Sequence, residues 1–235
     1  MKKTALALCL LASVSTSFSE KTDDNSAQAS NNPTPQSLHA VKFDISLPMR
    51  LMTPKAIVPH AKRGGLMVDP GKIEQQQNID SPNFSDPVLQ DSLFSNRIPD
   101  ASVSFNALSN IAGVSPPDPA GDVGPNHYVA MTNLSYHVLD KSGNSLYGPA
   151  ANNTIWTGFG GACEAENSGD PIVLHDQIAD RWLLTQFTSA GPEYFNCVAV
   201  STTSDPTGSY YRWAISNGSL FPDYPKYGIW GDGYY

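Results

Sequence analysis

Three aspartates stand at nearly equal intervals, Asp118, Asp170 and Asp223, spaced 52 and 53 residues apart. A carboxylate that recurs at one place in each repeat can cap a loop by accepting backbone N–H groups. If the repeats converge on an axis, several such groups can instead gather round a cation or the hydroxyls of a sugar. A task shared by every unit points to the structural role, capping the loop that enters each innermost strand. Asp122 and Asp176 offer further oxygen ligands, but no EF-hand spacing or dense acidic run accompanies them. A second set of matched turns supports the repeat. Asp140–Gly143 and Asp205–Gly208 have equal internal spacing, and each precedes a strand with aromatic residues (Tyr147; Tyr210, Tyr211, Trp213). In such hairpin turns Asp holds backbone N–H groups and Gly supplies a positive φ.

The other groups able to do chemistry are sparse. Cys163 and Cys197 are the cysteines beyond the N-terminal segment. An even pair in an oxidising compartment predicts a disulfide, worth roughly 3–4 kcal/mol for a loop of this length. A reactive thiol would need a basic neighbour, whereas Glu164 and Glu166 flank Cys163 and disfavour the thiolate. The five histidines (His39, His60, His127, His137, His175) form no H-E-x-x-H and share no metal-ligand spacing with a cysteine. His175-Asp176 resembles an acid–base pair, but its place at a strand end predicts a surface turn. No nucleophile elbow, phosphate loop or dinucleotide fingerprint is present, and Gly158-Phe159-Gly160-Gly161 lacks a strand–helix context. The sequence therefore assigns no catalytic residue, no metal ligand and no cofactor, and leaves ligand-binding residues unassigned.

The elements that must position these residues are strands. Pro171–His175, Trp182–Ser189, Cys197–Thr203 and Tyr210–Ile215 are rich in β-branched and aromatic residues, with Asp, Gly or Pro in each gap. Four antiparallel strands per unit, repeating near every 50 residues, predict an all-β chain of propeller blades. A β-sandwich also has short strands and regular turns, but it does not explain the repeat. Upstream, Val41 to Leu47 alternates apolar and polar residues, predicting one half-buried strand that wraps on the later sheets.

The runs PPDPAGDVGPNHYVAM, LYGPAANNTIWTGFGGAC, SGDPIVLHDQIADRWLLTQF, CVAVSTTSDPTGSYYRW and FPDYPKYGIWGDGYY resemble the opening of a group of large secreted bacterial β-propeller proteins without an assigned activity. The likeness covers residues 86–235 and implies more blades than the chain contains; it brings no catalytic residues. The turn at Thr203–Gly208 is also similar to the Asp-box hairpin of sialidases, although Asp205 and Gly208 are three apart where the Asp box has two. That likeness implies propeller geometry and not glycosidase chemistry. Two blades and the start of a third fall short of the four that a closed propeller needs. The expectation is thus an incomplete β-propeller, a fragment whose first partners are the remaining blades of a longer polypeptide.

The N-terminal segment reads as an address. Met1-Lys2-Lys3 precedes an uncharged, largely apolar run from Thr4 to Val14, and Ser17-Phe18-Ser19 suits a signal peptidase. The run is far shorter than the ~20 residues that span a bilayer. The expected organisation is a signal peptide at 1–19, a disordered linker at 20–37, an extended lead-in at 38–113 and propeller blades at 114–235. A net charge of −8 with no basic stripe argues against nucleic acid and against docking on an anionic membrane. The bacterial style of the signal makes the N-x-S/T triplets at Asn83, Asn133, Asn152 and Asn217 accidents of composition. Function is expected to be non-enzymatic binding of an extracellular protein or glycan, through loops and aromatics such as Trp156 and Tyr194. The alternative is a sialidase-like hydrolase whose catalytic groups lie in further blades, since Arg181 and Arg212 are the basic groups available here.

Overall fold

The computed structural model describes residues 39–59 and 101–235. The expected signal peptide and linker, and the middle of the lead-in, lie outside the described residues. Strand β1 (Ala40–Ile45) is followed by β2 (Ala120–Val123), β3 (His127–Thr132), β4 (Ser135–Asp140) and β5 (Ser145–Ala151). A connecting segment holds a 3-10 turn (Asn152–Trp156) and the four-residue helix α1 (Ala162–Ala165). Then come β6 (Ile172–Asp176), β7 (Arg181–Phe187), β8 (Phe195–Ser201), β9 (Tyr210–Ser216), β10 (Ile229–Trp230) and β11 (Gly233–Tyr234). All pairings are antiparallel, and the described chain is predominantly β. The first sheet has the order β2-β3-β4-β5, the second β1-β9-β8-β7-β6, and β10-β11 is a separate hairpin.

The two sheets bury one face each against the other. Period-two alternation sends Val129, Met131, Tyr136 and Val138 of the first sheet to the same side as Val173, Trp182, Leu184, Cys197 and Ala199 of the second, in one apolar cluster. Burying a side chain of this size contributes about 1.5–3 kcal/mol, so this interface is the main source of stability.

The lead-in works as a strap. After β1 it continues along the outer edge of the second sheet, where Ser46 N donates to Tyr210 O at 2.8 Å and Met49 N to Gly208 O at 2.8 Å. It then crosses to the outer edge of the first sheet, where Ala151 N donates to Lys55 O at 3.0 Å and the Tyr147 hydroxyl to Met52 O at 2.9 Å. Met49 is the fully buried plug at the crossing. Residues 101–114 cover the far face of the first sheet. There Phe105 meets Tyr128 edge-on at 6.2 Å, and Ala107 O lies 2.7 Å from His137 Nδ1.

Strand β1 corrects one expectation. Its alternation does mark a strand, but the half that faces inward is the polar half. Val41, Phe43 and Ile45 are 60%, 53% and 57% exposed, while Lys42 reaches the Phe159 ring and Asp44 reaches Arg212. A period of two locates two faces without saying which is down; here a buried guanidinium on β9 decides. The matched turns need a second correction. Gly143 has φ of +87° as expected, and the Asp140 carboxylate accepts Ser142 N and Asn144 N. Gly208 is not among the left-handed glycines. It is small because an added Cβ would lie 3.1 Å from Asp205 O, tight against the carbonyl that its own N–H bonds.

Candidate functional site

The repeated aspartates meet. The loops that feed β2 and β6, the edge strands at which the two sheets adjoin, both turn through a left-handed aspartate, Asp118 at φ +38° and Asp170 at φ +41°. Asp is among the few residues that tolerate this conformation. Asn133, in the β3–β4 turn, ties the two loops together. Its Nδ2 donates to Asp118 Oδ2 at 2.6 Å and to Pro116 O at 2.9 Å, and its Oδ1 accepts from Asp170 N at 2.7 Å. The third unit joins through Tyr224 N, which donates to Asp170 Oδ2 at 3.2 Å. Its setting is not identical. The left-handed residue is Tyr224, one place after Asp223, and β10 begins six residues after Asp223 where β2 and β6 begin two after their aspartates.

Crowding three carboxyl groups has an electrostatic consequence. Partial burial, the hydrogen bond and charge of Asp118, and the charge of Asp223 raise Asp170 from its ordinary value of 3.8 to about 6, with Tyr224 N–H opposing. The folded chain therefore binds a proton that the unfolded chain releases between these values. The stabilisation is fully present below pH 4 and is lost as pH rises through 6. Asp170→Asn is expected to remove that slope and to raise stability at pH 7.5 by about 1 kcal/mol, a figure reduced for the solvent access of this group. Urea unfolding of both proteins at pH 4.5 and 7.5 measures it; an unchanged slope would show that no shared proton holds the cluster.

The other sequence candidates are distributed differently. Asp176 is not a partner of His175. Its carboxylate caps the following turn, accepting Ile178 N and Ala179 N, and receives the Tyr234 hydroxyl at 2.7 Å. His175 instead points Nε2 at Asp180 Oδ1, 3.0 Å away, and packs on Trp182 with ring centroids 4.8 Å apart. Asp122 reaches across from the first sheet to accept His175 N. His175 and Asp180 border an open hollow of about 410 Å³ whose other lining residues are Val123, Gly124, Pro125 and Gln177. Asp180 escaped the sequence reading because only a closed hairpin brings positions 175 and 180 together. Among the described residues, no three His, Cys, Asp or Glu side chains are arranged to hold a metal ion.

Cys163 and Cys197 form a disulfide with Cα atoms 5.8 Å apart, as the pairing argument predicts. It ties α1 to the centre of the second sheet, and Gln186 Nε2 fixes the same loop through Cys163 O and Glu166 O. The Asp205 carboxylate holds its own turn through Thr207 N and Thr207 Oγ1. Trp156, expected on the surface, is completely buried between the sheets, so it cannot carry binding. Asn152, in one of the N-x-S/T triplets, is buried as well.

Comparison with family models, with curated proteins and with solved structures finds no match to this chain.

Proposed function

We propose that this chain forms two blades and the inner strands of a third in an extracellular β-propeller, and that it serves as a binding module for a protein or glycan. One observation carries the propeller reading: the loops feeding the innermost strands of consecutive sheets meet at Asp118 and Asp170. Sheets related by rotation about an axis bring equivalent inner loops together at that axis. Strands β2 to β5 and β6 to β9 follow one another in the same order in two sheets packed face to face, the second sheet being extended by β1, and a third hairpin is bonded to the same point; these support it.

Binding fits the chemistry better than catalysis. The charged groups that converge are already committed to the fold: Arg212 to Asp44 and two carbonyls, Arg181 to the carbonyls of Ala179 and Asp180, Asp176 to its turn. Aromatic surface is plentiful by contrast, with Trp230, Phe43 and Tyr235 each more than half exposed. Export is supported by the disulfide, and among the described residues no helix is long and apolar enough to cross a membrane. A glycan array together with hydrolysis assays on the same oligosaccharides tests the reading. Retention without turnover is the expected result; cleavage of a glycosidic bond would assign the chain to the hydrolases instead.

A further inference from the structure

The hollow beside His175 lies where two hairpin turns meet. Strands β2 and β6 begin near Asp118 and Asp170. At their other ends the β2–β3 turn supplies Val123, Gly124 and Pro125, and the segment closing β6 onto β7 supplies His175, Gln177 and Asp180. The volume of about 410 Å³ is at the small end of the range in which proteins hold small molecules, roughly 300–1,000 Å³. Gly124 forms part of the wall because nothing larger fits. An added Cβ would lie 2.8 Å from Trp182 Cζ2 and 3.1 Å from His175 Nε2.

Two local costs are tolerated at the rim, and both hold one carboxylate in place. An ionised carboxylate accepts and does not donate, so His175 Nε2 carries the hydrogen that it directs at Asp180 Oδ1, 3.0 Å away. His175 is only 8% exposed, and its Nδ1 is buried without a partner among the described residues, an arrangement that folds ordinarily avoid. Asp180 itself turns at φ +53°, where glycine would be free of strain. Local departures of this kind gather at functional positions. The Asp180 side chain is half-exposed, and among the described residues its Oδ2 receives no hydrogen bond while Oδ1 is taken by His175. Gln177, which also lines the hollow, is exposed.

We propose that this hollow is a site for one neutral sugar ring, whose neighbouring hydroxyls bond the Asp180 carboxylate and the Gln177 amide while its C–H face lies on Val123 and Pro125. The site rests on the reading of the chain as a binding module, whose ligand class and location it specifies. Adjacent hydroxyls both donate and accept. The free carboxylate oxygen takes a charge-assisted bond from one, and the amide can donate to and accept from the next. Val123 and Pro125 are exposed and supply the apolar side. Other ligand chemistries fit less well. An anion would face Asp180 with no basic side chain in the lining. A simple cation would meet one half-exposed carboxylate, an ion pair that gains little in water. A wholly apolar ligand would leave Asp180 and Gln177 without partners.

The test titrates the full chain with the methyl glycosides of glucose, galactose and mannose. Two further probes separate the chemistry: methoxytetrahydropyran, the same ring without its hydroxyls, and methylammonium. Nuclear magnetic resonance shifts of the Gln177 side-chain amide and the Gly124 backbone amide are read. Saturable shifts with at least one glycoside, at a Kd of roughly 1 mM for a ligand of this size, and none from either probe are the expected result. Asp180→Asn and Gln177→Ala should each weaken that binding by about tenfold. Asn tolerates the left-handed backbone and still accepts from His175, and Gln177 is exposed, so both variants should keep the wild-type urea midpoint. The proposal is overturned if no glycoside gives saturable shifts, if either probe binds as well as the best glycoside, or if both variants bind as the wild type does. The glycan array reads the wider claim separately. Retention that survives both substitutions removes the hollow as the site and leaves the binding module standing.

Discussion

Asp44→Ala should destabilise the folded chain by about 3 kcal/mol, at the lower end of what removing one partner of a buried ion pair costs. Arg212 is 2% exposed. Its Nε and Nη2 donate to the two oxygens of Asp44 at 2.8 and 2.7 Å, and its Nη1 donates to Ile155 O and Thr157 O at 2.9 and 3.0 Å. The guanidinium also lies over the Phe159 ring, 5.2 Å from its centre. Without Asp44 the positive charge stays in the same low-dielectric place, held only by neutral carbonyls. Asp44 is itself about a third exposed, so water can partly replace it, which is why the lower end applies. A paired replacement separates charge from packing. Asp44→Leu with Arg212→Met should cost less than Asp44→Ala alone, because no bare charge remains. Urea midpoints of the three proteins decide it, and a double variant as unstable as the single one would make the pair a packing contact only.

That ion pair also marks the limit of what sequence could reveal. The strands of the second sheet were legible because each combines β-branched and aromatic residues with a turn former in the gap. The structure begins and ends them within two residues of those bounds. The disulfide was legible because only one pairing remains once Cys9 is assigned to the expected signal peptide. The face of β1 was not, because the residue that turns Asp44 inward lies 168 positions away. Asn133 was invisible for a related reason. It bridges two loops of different repeats, yet nothing in its local sequence differs from an ordinary turn asparagine. The burial of Trp156 is not legible either, because it lies between the strands that the pattern marks, and only the packing of the 3-10 turn places that side chain between the sheets. In each case the missing information is a long-range contact, which no local pattern carries.

Removing the disulfide by Cys163→Ala with Cys197→Ala should lower stability by roughly 3–4 kcal/mol, the loop-closure entropy for a separation of 34 residues. Against a typical total of about 5–15 kcal/mol for a domain, that is a large share. The wild-type chain should lose a similar amount when dithiothreitol is added, while the double variant should ignore the reductant. A loss well below about 1 kcal/mol in both would mean that the denatured chain is not freed by opening the loop. The crosslink matters beyond its entropy, because it anchors α1, and the segment just before α1 carries Ile155 and Thr157, whose carbonyls hold Arg212. Opening the disulfide therefore loosens the carbonyl half of the Arg212 site, just as Asp44→Ala removes the carboxylate half. Two changes in one network do not add. The triple variant should differ from the sum of its parts by more than about 0.5 kcal/mol, and simple additivity would show that the loop and the ion pair stabilise the two sheets independently.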